Sequence, residues 1–150
     1  MRAVLAYVLM MVAGAAHAGA WEEFERRCLV PMENVQTPVT EGLVTLPSKG
    51  DDEVWVSSEG WKVSYRSSGE RDACEMSGLK WSDEESETLL DWVRTAVPSK
   101  RYKAFAPAYP GAPMLFQSTD WREPRIEIAF HRTEIDGDVK LIVEETDLES

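Results

Sequence analysis

Residues 121–146 read WREPRIEIAFHRTEIDGDVKLIVEET, and this stretch sets the architecture. Ile126, Ile128 and Phe130 alternate with Arg125, Glu127, Ala129 and His131, the period of two that a half-buried strand requires. Val139, Leu141 and Val143 repeat the pattern beyond Asp136-Gly137, a pair that tolerates the positive φ values of a type I′ hairpin turn. With those two residues as the turn, Ile135 faces Asp138, Phe130 faces Val143 and Ile128 faces Glu145. All six apolar residues then share one face, so turn chemistry and hydrophobic period agree on one hairpin. His131 falls on the other face, with Ile142 as its cross-strand neighbour. It reads as an exposed strand histidine rather than a ligand or a base.

Upstream, Val54 and Val56, then Trp61, Val63 and Tyr65, alternate with polar residues on either side of Ser58-Glu59-Gly60. A further short strand, residues 73–77, carries Cys74. The connections are too short for parallel crossovers, so these strands form an antiparallel meander. MLFQST at 114–119 reads as one more strand. Prolines at 31, 38 and 47 mark 31–50 as extended loop, and SKRYKAFAPAYPGAP at 99–113 reads as a crossing back to the sheet.

Two helices complete the count. In WEEFERRC, Trp21, Phe24 and Cys28 fall on one helical face and Pro31 follows, a sequence that predicts a helix ending before the proline. In WSDEESETLLDWVRTAVP, Ser82 is the N-cap and Glu85 stands at N3, the pattern of a reciprocal capping box. Leu89, Trp92, Val93 and Ala96 form the apolar stripe, and Pro98 ends it. The chain is therefore expected to be an α+β fold: a single antiparallel sheet of about five or six strands with two helices packed on one face. No internal repeat or linker divides it.

The first residues are a different material. Arg2, the apolar run AVLAYVLMMVAGA and the small residues AHAGA follow the order of a secretory signal. The run is too short for a spanning helix of roughly 18–20 apolar residues. Residues 1–18 are expected to be a cleaved signal peptide and 19–150 one mature domain, with a cut before Gly19 or before Trp21. The product belongs in the periplasm or outside the cell. Loss of Arg2 makes the formal net charge more negative than the −11 of the full chain, and loss of His17 leaves His131 as the sole histidine. With that charge and no basic run, nucleic acid and anionic lipid are poor partners. Membrane insertion after cleavage is not expected, and a solvated acidic surface or a cationic partner is. The cysteines, Cys28 and Cys74, number two, which in an oxidising compartment predicts one disulfide.

Little catalytic chemistry is on offer. Acyl transfer would need a base, and His131 alone could serve, without a Gly-x-Ser-x-Gly elbow. Ser77-Gly78-Leu79-Lys80 matches Ser-x-x-Lys but lacks the companion pieces of that enzyme class. Asp136-Gly137-Asp138 is explained by a turn and falls short of a calcium loop. The sequence implies no metal and no cofactor. Paired carboxylates are the one alternative, since they ask only for two acids about 5–10 Å apart. Asp120, Glu123, Glu127 and Glu144 are the candidates.

Tryptophan stands out, with six in the chain. Trp21, Trp61 and Trp92 sit on apolar stripes. Trp55 is out of phase with Val54 and Val56, and Trp121 stands among charged residues. Exposed aromatics beside arginine are typical of interface hot spots, so Trp121, Arg122, Arg125 and Trp55 form the candidate interaction patch.

WREPRIEIAFHR and GDVKLIVEETDLES, with WEEFERRC behind the signal, resemble small uncharacterised exported proteins of alphaproteobacteria. That resemblance implies an envelope protein and carries no catalytic residue. The expectation is a non-catalytic exported acidic protein that binds another protein of the cell envelope, with a small carboxylate-dependent hydrolase as the alternative. Oligomeric state is not written in the sequence.

Overall fold

A computed structural model describes residues 18–132 and 137–147. Residues 1–17 of the expected signal and Asp136 of the expected turn lie outside the described residues. Eight strands form one antiparallel sheet in the order β1-β2-β3-β4-β8-β7-β6-β5. These are β1 Val44–Leu46, β2 Asp52–Val56, β3 Lys62–Ser67, β4 Asp72–Lys80, β5 Tyr102–Phe105, β6 Met114–Ser118, β7 Arg125–Arg132 and β8 Asp138–Thr146. A helix over residues 20–33 precedes β1, and a second, Asp83–Ala96, precedes β5. Two helix-plus-four-strand units thus meet where β4 pairs with β8. The topology repeats although no repeat is legible in the sequence.

The α+β class, the antiparallel sheet and the two helices agree with the expectation; the strand number does not. The two additional strands are β1, in what read as extended loop, and β5, in what read as a crossing. Both are the edges of the sheet. An edge strand pairs on one side only and is short, charged or flanked by proline, so neither shows the alternation that betrays a central strand.

The core lies between the helices and the inward face of the sheet. Trp21, Phe24 and Cys28 of the first helix meet Val63 and Tyr65 of β3, Cys74 and Met76 of β4, Ile126 and Ile128 of β7, and Leu141 and Val143 of β8. Cys28 and Cys74 are joined as a disulfide, as expected, with 46 residues of separation. It pins the first helix to β4 at the middle of the sheet. Trp92 of the second helix packs on Trp21, Tyr102 and Phe116 with ring centroids 5.1–5.4 Å apart, so it ties the two helices to β5 and β6.

The first helix runs past Pro31. Glu25–Leu29 is a π-helical turn between the α-helical stretches Ala20–Phe24 and Val30–Glu33. Proline lacks the N–H that would bond the carbonyl four residues back, which here is Arg27. That carbonyl instead accepts from Val39 N at 3.0 Å, so the helix survives its proline. The same loop is held by the Arg27 guanidinium, which donates to the carbonyls of Val39 and Glu41.

The second helix is capped as predicted on one side only. Ser82 Oγ accepts from Glu85 N, but the Glu85 carboxylate does not reach back to close the box. It accepts from Ala20 N at 2.9 Å and Trp21 N at 2.8 Å. One acidic side chain thereby satisfies two orphan donors at the positive end of the other helix.

The β7–β8 hairpin keeps its predicted faces but shifts its register. Phe130 pairs with Leu141, Ile128 with Val143 and Ile126 with Glu145, two residues from the register expected from Asp136-Gly137. A shift of two leaves every side chain on its face, so the apolar period cannot distinguish the registers. Pairing of β8 with β4 places Val143 beside Cys74 and Leu141 beside Met76. His131 accordingly faces Lys140, not Ile142. The phase of β2 is also opposite to expectation: Trp55 pairs with Val63 and packs against the core, while Val54 and Val56 lie on the outer face.

Candidate functional site

The inward and outward faces of the sheet differ. Helices cover the inward one. On the outward face Glu127 of β7 stands directly opposite Glu144 of β8. Partial burial pushes the Glu127 carboxyl above its ordinary range, and the Glu144 charge adds to the effect. Glu144 is exposed, beside a hollow of about 110 Å³ lined with Asp52, Arg66 and Glu75. Of the other candidate acids, Glu123 is exposed and Asp120 is ion-paired with Arg125. His131 is half-buried on this face. Desolvation pulls its pKa below the ordinary value, the Lys140 ammonium pulls it further, and Glu75 opposes both.

A larger depression sits at the β5 edge. It is a cleft of about 570 Å³ lined by Val97 and Lys100 at the end of the second helix, Tyr102, Lys103 and Ala104 of β5, and Thr119, Asp120 and Trp121 after β6. That volume lies within the roughly 300–1,000 Å³ of ligand sites.

The sequence builds this cleft step by step. The second helix ends in a Schellman pattern, with Arg101 N donating to Ala96 O and Lys100 N to Val97 O. Lys100 takes the left-handed conformation at φ 61° that this motif demands. The chain then turns into β5. Thr119 N and Trp121 Nε1 both donate to Arg101 O, at 2.9 and 2.6 Å, and Thr119 Oγ1 donates to Lys100 O. These bonds hold the segment after β6 over the start of β5. The Trp121 ring lies edge-on to Tyr102 at 5.8 Å, and the Arg101 guanidinium stacks over it at 4.6 Å. Trp121 is nevertheless 40% exposed, so an amphipathic ring faces the opening with a cation on its π face.

Glu33, at the end of the first helix, braces the arrangement from below. Its Oε1 accepts from Tyr102 Oη at 2.7 Å and from Arg101 Nη2 at 3.1 Å. Burial raises the Tyr102 phenol well above its ordinary pKa, and the Glu33 carboxylate adds to this, so the phenol stays a donor. Among the described residues neither Lys100 nor Lys103 has a carboxylate partner. Three cations thus crowd four positions of a chain that carries 27 acidic and 16 basic residues.

The four residues of the expected patch are not gathered together. Trp121 lines the cleft. Arg125 reaches it only through its ion pair with Asp120, and its Nε is buried without a partner. Arg122 is 4% exposed and belongs to the interior. Its guanidinium donates to Met32 O from two nitrogens, to Pro124 O, and to Glu145 Oε1 at 2.7 Å. Trp55 lies on β2, in the other half of the sheet. The residues that do accompany Trp121 are Lys100, Arg101 and Lys103. Their signal is local charge: three cations within residues 100–103 of an acidic chain, a cluster too short to stand out as a basic run.

No protein family, curated protein or solved structure matches this chain.

Proposed function

We propose that this chain is an exported, non-catalytic binding protein that seats another component of the cell envelope in the Trp121 cleft. The observation that carries the reading is the joining of an exposed indole, its stacked guanidinium and two ammonium groups without carboxylate partners around one opening of ligand size. Hot spots have this composition, with tryptophan and arginine dominating binding energy. Export is supported by the order of residues 1–20 and by the disulfide, a bond that persists in oxidising compartments. Among the described residues no helix is long and apolar enough to cross a membrane.

The test is capture. Tagged protein, crosslinked in intact cells and purified, should bring down a defined partner that Trp121→Ala loses, while the two proteins melt within a few degrees of each other. Equal capture by both would remove the cleft from the reading.

A carboxylate-dependent hydrolase is the second reading, and Glu127 opposite Glu144 with a raised carboxyl is what favours it. Two facing acids, one with a carboxyl pKa raised by burial, are the arrangement glycoside cleavage uses. Turnover of glycan substrates that Glu127→Gln abolishes would establish it.

A further inference from the structure

We infer that the partner enters the cleft as an extended acidic segment of polypeptide, added to the sheet as a ninth strand along β5. This rests on the binding function proposed for the Trp121 cleft and names the chemistry of the partner. Three observations carry it.

The first is the direction of the edge's main-chain groups. Hydrogen-bonded and non-hydrogen-bonded pairs alternate along an antiparallel ladder. Arg101 O accepts from Thr119 N, and the β5–β6 register, Tyr102 with Ser118 and Ala104 with Phe116, continues that pair. Lys103 and Phe105 therefore turn their N–H and C=O groups toward β6, as Arg101 does its C=O, its N–H being taken by Ala96 O. Tyr102 and Ala104 turn theirs outward, and both residues line the cleft. A strand laid there would find donors and acceptors at the spacing it needs, the mode of recognition in which main-chain bonds give affinity and side-chain pockets give selectivity.

The second observation is charge. Lys100 precedes the outward groups and Lys103 lies between them, neither with a carboxylate partner among the described residues, while Arg101, already paired with Glu33, stacks on the Trp121 ring. An acidic segment matches this cluster.

The third observation excludes a second copy as the occupant. Two β5 edges meeting antiparallel would bring the same cations together, and a lysine on an edge strand is a standard means of preventing such pairing. Phe105 remains exposed as an apolar contact for the incoming strand.

The experiment uses the full mature protein and three fluorescein-labelled octapeptides: alternating Glu and Val, the same peptide N-methylated at every peptide bond so that neither edge can donate, and alternating Lys and Val. Anisotropy should show saturable binding of the acidic peptide that weakens with salt. The N-methylated and Lys-containing peptides should bind at least roughly tenfold more weakly. The Ala104 amide should gain hydrogen-exchange protection when the acidic peptide binds. Ala104→Pro removes only an outward donor, as edge strands tolerate, and should abolish peptide binding with the melting transition retained; Lys103→Glu should do the same. Equal affinity for the methylated peptide, or an unprotected Ala104 amide, would overturn strand addition while leaving the cleft as a binding site. Absence of acidic-peptide binding at millimolar concentration would also overturn it. Dimers in sedimentation that Ala104→Pro dissolves would assign the edge to a second copy instead. Failure of the underlying reading is separate: there, Trp121→Ala leaves cellular capture intact.

Discussion

Arg122→Ala should be among the most damaging single substitutions in this protein. Arg122 is nearly inaccessible and so is its partner Glu145, with side-chain exposures of 2% and 9%. The guanidinium also satisfies the carbonyls of Met32 and Pro124, and the far oxygen of Glu145 accepts from Asp72 N at 3.1 Å. The Arg122–Glu145 pair thus joins the end of the first helix, the turn into β7, the end of β8 and the start of β4. Truncation strands a buried carboxylate, and removing one partner of such a pair costs about 3–5 kcal/mol. At a few degrees per kcal/mol for a domain of this size, the melting temperature should fall by roughly 10–20 °C. Urea denaturation monitored by tryptophan fluorescence measures it. Arg122→Met combined with Glu145→Leu should cost less than the sum of the single changes, because no charge is then left unpaired. A loss below about 1 kcal/mol for Arg122→Ala, the level of an exposed ion pair, would refute the assignment of Arg122 to the interior.

Three further outcomes are expected. Replacing Cys28 and Cys74 together by serine removes a loop closure over 46 residues and should cost about 4 kcal/mol in the chain-entropy description, read as a lowered denaturation midpoint in non-reducing buffer. Glu85→Ala should destabilise by about 1–2 kcal/mol, with amide exchange accelerating at Ala20 and Trp21, whose N–H groups it caps; unchanged exchange there would show that Glu85 does not hold the first helix. Glu127 is pushed above the ordinary carboxylate range by burial and by Glu144. The folded state therefore binds its proton more tightly than the unfolded state, and the ionised group opposes folding at neutral pH. Glu127→Gln should then be more stable than wild type at pH 7, and the gain should vanish as the pH falls below about 4, where both states are protonated.

How much of this was legible beforehand follows physical lines. The central strands announced themselves because a strand with neighbours on both sides and one covered face must alternate apolar and polar residues. Lys62–Ser67, Arg125–Arg132 and Asp138–Thr146 do so. The edges β1 and β5 need satisfy only one neighbour, and they stayed hidden in proline- and lysine-bearing stretches. Arg122 read as a surface residue because its local context is polar. What buries it are Met32 and Glu145, distant by 90 and 23 residues. The cleft was half visible: Trp121 drew notice, whereas Lys100, Arg101 and Lys103 became its companions only when the segment after β6 folded back onto Arg101 O.

By itself the sequence determined the α+β class, the two helices, the inward faces of the central strands and the Cys28–Cys74 pairing, because each follows from local period, capping chemistry or a count of two. Tertiary structure alone decided the β7–β8 register, the inward placement of Trp55, the burial of Arg122, the capping of one helix by the other's Glu85, and the cleft beside β5. Those depend on pairs far apart in the chain, and a period of two or a single polar residue has no means of naming its distant partner.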